Sequence, residues 1–123
     1  VKDKLIVVGR YTQKFNIFTG QALPMFDIVQ SVPGLEKHVI KRHPECMEYI
    51  DHIPEIIQKP DYIGKNPKEE NSVELVKVYH HNIQIAVKLD ERNGRFFVAS
   101  LYEITEKKLK NRLYSGRLKE VKY

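Results

Sequence analysis

The sequence predicts an α+β fold, in which short helices in the first half precede an antiparallel sheet in the second half. Three runs rich in β-branched and aromatic residues, 73–79, 83–89 and 96–102, follow one another along the chain. The spacers between them, 80–82 and 90–95, suit hairpins, and the second spacer contains Asn-Gly, a strong turn signal. We therefore expect short N-terminal strands and helices packed against a twisted antiparallel β-sheet, followed by a C-terminal helix.

The N-terminal part of the chain predicts short strands. Residues 5–8 read Leu-Ile-Val-Val and end at Gly9, a pattern typical of a strand. A second strand is expected at 15–18, before the Thr-Gly turn that follows it, and a third at 26–29.

Prolines set the predicted limits of the central helices. Pro33-Gly34 interrupts the chain, and the first helix is expected over 35–42, because Pro44 disfavours helical geometry in the residue before it. Pro44 can itself begin a second helix that runs to residue 50. Residues 54–59 predict a third short helix.

The remaining segments predict a loop and a final helix. Residues 63–72 are polar and rich in turn-forming residues, as expected of a loop. Thr105 is a suitable N-cap for a helix over 106–114, and Ser115-Gly116 is a suitable end for it.

Side-chain alternation predicts which strand is central in the sheet. In one strand an apolar set alternates with a more polar set, so one face is expected to be buried and the other wet: Ile83, Ile85, Val87 and Leu89 against Gln84, Ala86 and Lys88. In the last strand both sets are largely apolar, which favours a central position: Phe97, Ala99 and Leu101 against Phe96, Val98, Ser100 and Tyr102. Ser100 and Tyr102 are then expected to project together from the far end of this strand.

Composition favours one globular domain with an anionic partner. The 123 residues suit a single domain over 1–123; they are 41% hydrophobic, and 21 Lys and Arg face 16 Asp and Glu, which leaves a net charge of +5. Such a balance favours nucleic acid as the first candidate partner.

The single cysteine, Cys46, excludes an internal disulfide and a cysteine-based zinc site, and a small buried residue is its simplest interpretation. No run is apolar and long enough to span a bilayer, so no membrane association is expected. The chain opens with Val1, which suggests a domain cut from a longer protein.

The first predicted helix carries the densest set of chemically active side chains. His38 and Arg42 are four residues apart and can converge on one side of a helix. Imidazole exchanges protons near neutral pH, and guanidinium binds phosphate in a fork. His43 would lie on another side if the helix continued, although Pro44 gives it more freedom. Alternatively, His43 packs inward and bonds a backbone carbonyl. Lys37 and Lys41 add positive charge to this segment.

Hydroxyls and a basic strip complete the candidate site. Ser100 and Tyr102 can bond phosphate oxygens, and a tyrosine ring can stack on a base; alternatively they are filler and edge cover. The C-terminal part carries a strip of cations, which is either a solvated helix face or an RNA contact: Lys107, Lys108, Lys110, Arg112, Arg117, Lys119 and Lys122. Lys107 and Lys108, together with Lys88 on the sheet, are the predicted RNA-binding members outside the first helix. No metal-binding motif is present, so neither a metal site nor another cofactor is expected.

Taken in order, several blocks resemble a known nuclease superfamily. They are Lys-His-Val-Ile-Lys-Arg-His-Pro at 37–44, Ile-Pro-Glu-Ile-Ile at 53–57, Lys-Pro-Asp-Tyr-Ile at 59–63, Val-Ala-Ser-Leu-Tyr at 98–102 and Lys-Lys-Leu at 107–109. This order is similar to the phage-borne and polymorphic-toxin branch of the BECR superfamily, the barnase–EndoU–colicin–RelE-like ribonucleases. The resemblance covers roughly residues 35 to 115.

The resemblance implies a small ribonuclease fold whose helices cover one face of the sheet while the open face holds RNA. It implies a C-terminal toxin module of a longer secreted or delivered protein, which acts in the cytoplasm of a target cell and is neutralised by a cognate immunity protein. The family's helix histidine falls on His38, its basic block on Arg42 and His43, and its strand hydroxyl, often threonine, on Ser100.

These observations together predict a monomeric, metal-independent endoribonuclease that uses the ribose 2′-hydroxyl as nucleophile, with tRNA as a candidate substrate. His38 is the first candidate for acid–base catalysis and His43 the second. Arg42 and nearby lysines would stabilise phosphate charge, and Ser100 and Tyr102 would hold phosphate or ribose. The alternative is a non-catalytic module of a phage or secreted protein that binds RNA or protein.

Overall fold

The computed structural model describes residues 4–123 and shows the predicted α+β architecture. The strands are β1 Leu5–Arg10, β2 Asp27–Ser31, β3 Tyr62–Gly64, β4 Ser72–Val78, β5 Asn82–Asp90, β6 Arg95–Ile104 and β7 Leu118–Glu120. The α-helices are α1 Gln13–Thr19, α2 Val32–Arg42, α3 Ile53–Gln58 and α4 Glu106–Ser115, and a 3₁₀ helix spans Pro44–His52. The strands form one sheet in the order β1-β2-β6-β5-β4-β3-β7, in which only β2 and β6 are parallel.

The hydrophobic core lies on one face of the sheet. Helices α1, α2, α3 and the 3₁₀ helix all contribute buried apolar side chains to it, and the sheet contributes residues such as Ile85 and Leu101, which are fully buried. Each side chain of this kind adds about 1.5–3 kcal/mol to the burial term. A smaller cluster forms where α4 covers one end of the opposite face: Val76, Ile104, Leu109 and Leu118. Glu74 and Gln84 on the same face are also buried, and the face opens at Lys88 and Ser100, which are half-buried.

A β-bulge in β6 changes the predicted facing of its side chains. Val87 pairs with Val98 and Ala86 with Ser100, so Ala99 has no partner on β5. The extra residue reverses the alternation. The prediction that Val98 shares a face with Ser100 and Tyr102 is therefore wrong, because Val98 is buried in the main core. Ser100 and Tyr102 both follow the bulge and still share a face, and β6 is central in the sheet, as predicted.

Residues 15–18, predicted as a strand, lie in α1. Phe15 is buried and Ile17 is 72% exposed, as in an amphipathic helix. The apolar run is so short that its periodicity does not separate a helix from a strand. The helix ends at Gly20, whose φ of 70° is left-handed and whose N–H donates to the carbonyl of Asn16. The Asn16 amide is held by the Tyr11 hydroxyl, 2.6 Å from its Oδ1.

The central helices agree with the proline signals, with three differences. Helix α2 ends at Arg42, as predicted, but begins at Val32, because Pro33 is tolerated in its first turn. The segment that begins at Pro44 is a 3₁₀ helix, followed by α3. The third helix was expected from residue 54 and starts at Ile53.

Two short strands, β3 and the edge strand β7, were not predicted, and β3 lies at the start of the expected loop 63–72. They pair with each other, with Gly64 opposite Leu118. A Cβ on Gly64 would lie 1.8 Å from the carbonyl oxygen of Arg117, so only glycine admits this approach.

The C-terminal helix is confirmed, and its Thr105 hydroxyl accepts a hydrogen bond from the Lys108 N–H at 3.1 Å. The left-handed Gly116 ends it. No helix within residues 4–123 has both the length and the apolar character needed to cross a membrane.

Candidate active site on the open face of the sheet

Helix α2 brings its C-terminal end to the far half of β6. Strand β2 pairs with β6 only at Ile28–Phe96 and Val29–Phe97, and the chain passes directly from β2 into α2. The helix contacts β6 and buries Leu35 and Val39 in the core. The histidines of α2 are therefore carried towards the half of β6 that bears Ser100 and Tyr102.

Three of the predicted site residues meet there. The ring centres of His43 and Tyr102 are 5.5 Å apart with an angle of 30° between the planes. The ring centres of His43 and His38 are 6.4 Å apart. His43 and Tyr102 are half-buried and His38 is exposed. The sequence favours His38 over His43 for acid–base catalysis, whereas in the structure His43 lies directly beside the strand tyrosine.

The position of His43 follows from the end of the helix. Its backbone N–H still bonds the Val39 carbonyl at 2.7 Å, but its φ and ψ of −144° and 59° are no longer helical, because Pro44 follows. Its imidazole forms no hydrogen bond with any residue in the range 4–123, so the alternative of a carbonyl-bound structural histidine is not observed.

Ser100 lines a small cavity together with Tyr102. The cavity has a volume of about 170 Å³. Lys88, one of the predicted RNA-binding lysines, forms part of its wall, and its Nζ lies 3.4 Å from a carboxylate oxygen of Glu69. The two strand hydroxyls and one cation therefore share a recess in the open face.

A buried amide lies beneath Tyr102. Gln84 is completely buried; its Nε2 donates to the Tyr102 hydroxyl oxygen at 2.6 Å and to Glu74 Oε2 at 2.9 Å. Its Oε1 accepts a bond from Arg112 Nη1 at 2.6 Å. The expectation of a wet face at Gln84 is therefore wrong, because Tyr102, Glu74 and Arg112 enclose the amide. Since the Tyr102 oxygen accepts from Gln84, its own proton is left to donate elsewhere.

An ion pair completes this network. Arg117 Nε and Nη2 bond the two carboxylate oxygens of Glu74, each at 2.8 Å. Glu74 is 3% exposed, and its hydrogen bonds raise the pKa of Arg117 above the ordinary value. A bidentate pair of this kind fixes orientation as well as charge. Four linked side chains therefore hold the Tyr102 hydroxyl.

The burial of Glu74 and Gln84 could not be predicted from sequence. Each stands between two apolar strand residues, as in Ile83-Gln84-Ile85, and this alternation is typical of a side chain that faces solvent. Arg112 and Arg117 were included only as members of the basic strip.

The other predicted cations are not part of this cluster. Arg42 is exposed at the last position of α2 and forms no side-chain hydrogen bond or salt bridge within the described part of the chain. Lys37 and Lys41 are exposed on α2, and Lys107 and Lys108 on α4. Their roles in RNA binding stay predictions.

The remaining histidines and the cysteine lie outside the site. His52 bonds Glu55, and His81 Nδ1 lies 2.8 Å from Glu103. Cys46 is buried, and burial raises the pKa of its thiol above the usual value. Across residues 4–123 no three His, Cys, Asp or Glu side chains are grouped as metal ligands.

Comparison with known proteins decides the family. A family model described as phage-Barnase-EndoU-ColicinE5/D-RelE like nuclease3 matches residues 6–111, most of the chain. The chain belongs to this family. Membership of the BECR superfamily, predicted from the sequence blocks, is thereby confirmed, and this BECR protein is assigned as a nuclease. No curated protein and no solved structure matches the chain.

Proposed function

We propose that this BECR nuclease is a metal-independent endoribonuclease that cleaves RNA through its 2′-hydroxyl. The observation that carries the proposal is the contact between the rings of His43 and Tyr102. The ring centre of His38 lies 6.4 Å from that of His43. Two imidazoles beside a strand hydroxyl supply the proton transfers and the phosphate contact that this reaction needs.

In the proposed reaction one imidazole removes the proton of the 2′-hydroxyl, and the oxygen attacks the adjacent phosphorus. The bond to the 5′-oxygen breaks, and the second imidazole protonates that oxygen, which leaves a cyclic phosphate. The ring centres of His38 and His43 are 6.4 Å apart. This separation leaves room for a hydrogen bond of roughly 2.6–3.2 Å from each ring to the same phosphodiester, so both imidazoles can act on it. The position of His43 beside Tyr102 favours it as the more important of the two.

Tyr102 and Ser100 are proposed to bind the phosphate oxygens. The Tyr102 oxygen accepts a bond from Gln84 at 2.6 Å, so its proton can be donated to an anionic oxygen. Donors fixed in advance stabilise developing charge more than mobile ones do. Arg42 and the neighbouring lysines, Lys37 and Lys41, would add positive potential from the helix side.

The biological setting is proposed from the same sequence resemblance. RNA is the substrate, with tRNA a candidate, and the net charge of +5 supports an anionic partner. The protein would act as a monomer in the cytoplasm of a target cell after delivery of a longer toxin, without membrane contact and without a cofactor. A cognate immunity protein would neutralise it.

The first experiment incubates the purified protein with tRNA and total RNA in EDTA. Cleavage should persist in the chelator, and His43→Ala should lower kcat/KM by ~10²–10⁴, because a catalytic acid or base is removed. His38→Ala should show a loss in the same range. His80→Ala, in an exposed hairpin turn, is the matched control and should retain full activity.

Two results would contradict the proposal. An oligonucleotide with a single 2′-deoxyribose at the cleaved position should be inert, so its cleavage would exclude 2′-hydroxyl attack. Retention of activity in both histidine variants would remove the imidazoles from the mechanism. RNA that is bound but stays intact over a wide protein excess would favour the alternative, a non-catalytic RNA-binding module.

A further inference from the structure

A second, larger cavity lies beside α4 and is lined by cations. Its volume is about 800 Å³, and it lies between α4, the end of α1 and the segments that follow β3 and lead through β7. Among residues 4–123, five cations line it and no acidic side chain does: Lys65, Lys108, Arg112, Arg117 and Lys119. We call it the basic cleft.

Three of these cations are available to a ligand. Lys65, Lys108 and Lys119 form no salt bridge with any residue in 4–123. The two arginines are partly engaged, Arg112 with Gln84 and Arg117 with Glu74. Unpaired cations in a concave wall concentrate positive potential more strongly than the same charges on a convex surface.

Hydrogen bonds link the lining of the basic cleft to the residues around Tyr102. Arg112 lines the cleft and bonds Gln84, which bonds Tyr102. Arg117 also lines the cleft and binds Glu74, which forms part of the wall of the cavity that contains Ser100. The two recesses therefore lie on neighbouring sides of one side-chain network, and we expect a flexible polymer to contact both.

We propose that the basic cleft binds the sugar-phosphate backbone of nucleotides that flank the cleaved one in single-stranded RNA. This inference rests on the proposed ribonuclease function and adds a second subsite to it. The three free lysines bind phosphates, and half-buried Phe18 in the cleft wall offers an apolar surface to a ribose or base. The volume lies in the ~300–1,000 Å³ range of small-ligand sites, which suits about one or two nucleotides.

The cleft divides the C-terminal basic strip into two groups. Lys108, Arg112 and Lys119 line the cleft, whereas Lys110 and Lys122 do not. Lys108 and Arg112 share one side of α4 because they are four residues apart. The positions outside the cleft provide a control of equal charge.

The test compares two triple variants in binding to a short single-stranded RNA whose 2′-hydroxyls are methylated, followed by fluorescence anisotropy. Lys65→Gln/Lys108→Gln/Lys119→Gln should weaken binding at least about tenfold and reduce the slope of log affinity against log salt by about 2, since each lost phosphate contact removes ~0.7. Arg92→Gln/Lys110→Gln/Lys122→Gln removes the same charge from exposed positions outside the cleft and should change affinity by less than about threefold.

Cleavage kinetics give a second readout. The cleft triple variant should raise KM for long RNA and leave kcat unchanged, because it removes contacts to nucleotides that do not react. Cleavage of a dinucleotide, which has no flanking phosphates, should be the same as in the native protein. Equal losses in the two triple variants, or a cleft variant that binds like the native protein, would overturn the proposal.

The outcomes separate this inference from the proposed function. A native protein that cuts RNA while the cleft triple variant binds normally would refute only the cleft. A native protein that never cuts RNA but loses binding in the cleft variant would refute only the reaction. Polyglutamate serves as the competitor: if it displaces the RNA at equal charge concentration, the cleft recognises acidic polypeptides and the RNA assignment is overturned.

Discussion

Strands β4 and β5 carry buried side chains on both faces, but different forces hold the two sets. On the helix-covered face Leu75 and Ile85 are fully buried and pack among other apolar side chains. On the other face Glu74 and Gln84 are 3% and 0% exposed, and hydrogen bonds and an ion pair hold them. Burial of polar groups is unfavourable unless each is paired, and even then adds little net stability. The comparison suggests that the apolar face holds the fold together and that the polar face positions Tyr102.

The first test of this contrast removes apolar packing. Ile85→Ala should lower the free energy of unfolding by about 2–5 kcal/mol, because it leaves a cavity in a core with no room to collapse. Denaturant titration gives the stability, and kcat measured under conditions where the variant is folded should match the native value. A large fall in kcat of the folded variant would show that the two faces are not functionally separate.

The second test breaks and then replaces the ion pair. Arg117→Met should destabilise the protein by up to about 3 kcal/mol, because Glu74 is left as an unpaired buried charge. Glu74→Leu/Arg117→Met should recover most of that stability, since a buried ion pair can be exchanged for apolar packing. Nuclease activity should stay low in both variants. Glu74 loses the partner that orients it in the single variant, and Gln84 loses its bond to Glu74 in the double variant, so Tyr102 is less well held in each. Full activity in the stable double variant would contradict a positioning role.

The third test concerns an exposed polar cluster at the rim of the helix-covered face and has the smallest expected effect. Tyr79 donates to Glu55 Oε2 at 2.9 Å and His52 lies near the same oxygen; these bonds lower the pKa of Glu55 below its usual 4.5. A depressed carboxyl pKa adds stability above pH 4.5, which is lost as the pH falls through the lower folded value. Tyr79→Phe should therefore lower Tm slightly at neutral pH and by less in acid. A Tm difference that widens below pH 4.5 would reverse this assignment.

Local signals in the sequence predicted the parts of the fold that depend on neighbouring residues. The three meander strands, the end of α2 before Pro44 and the Thr105 cap were each encoded within a few residues. The wrong prediction at 15–18 came from a short apolar run, for which periodicity does not separate helix from strand. Strands β3 and β7 were missed because each has only three residues and exists only through pairing with the other and, for β3, with β4.

For the candidate site too, local sequence predicted some features and tertiary contacts decided the others. The residue types and their order predicted His38, His43, Ser100 and Tyr102 as site residues, but they did not show which histidine lies closer to the strand tyrosine. Pro44 turns the chain, and His43 then lies against Tyr102. Nothing local placed Gln84 under that tyrosine, because its partners Glu74, Arg112 and Arg117 come from three other elements or turns.

The sequence by itself determined the α+β class and the superfamily, since these follow from local pattern and motif order, and the same blocks supplied the candidate reactive side chains. Only the tertiary structure decided the bulge at Ala99, the burial of Gln84 and the opening of the basic cleft. Strand register and burial depend on contacts between residues distant in the chain, and no window of neighbouring residues contains that information.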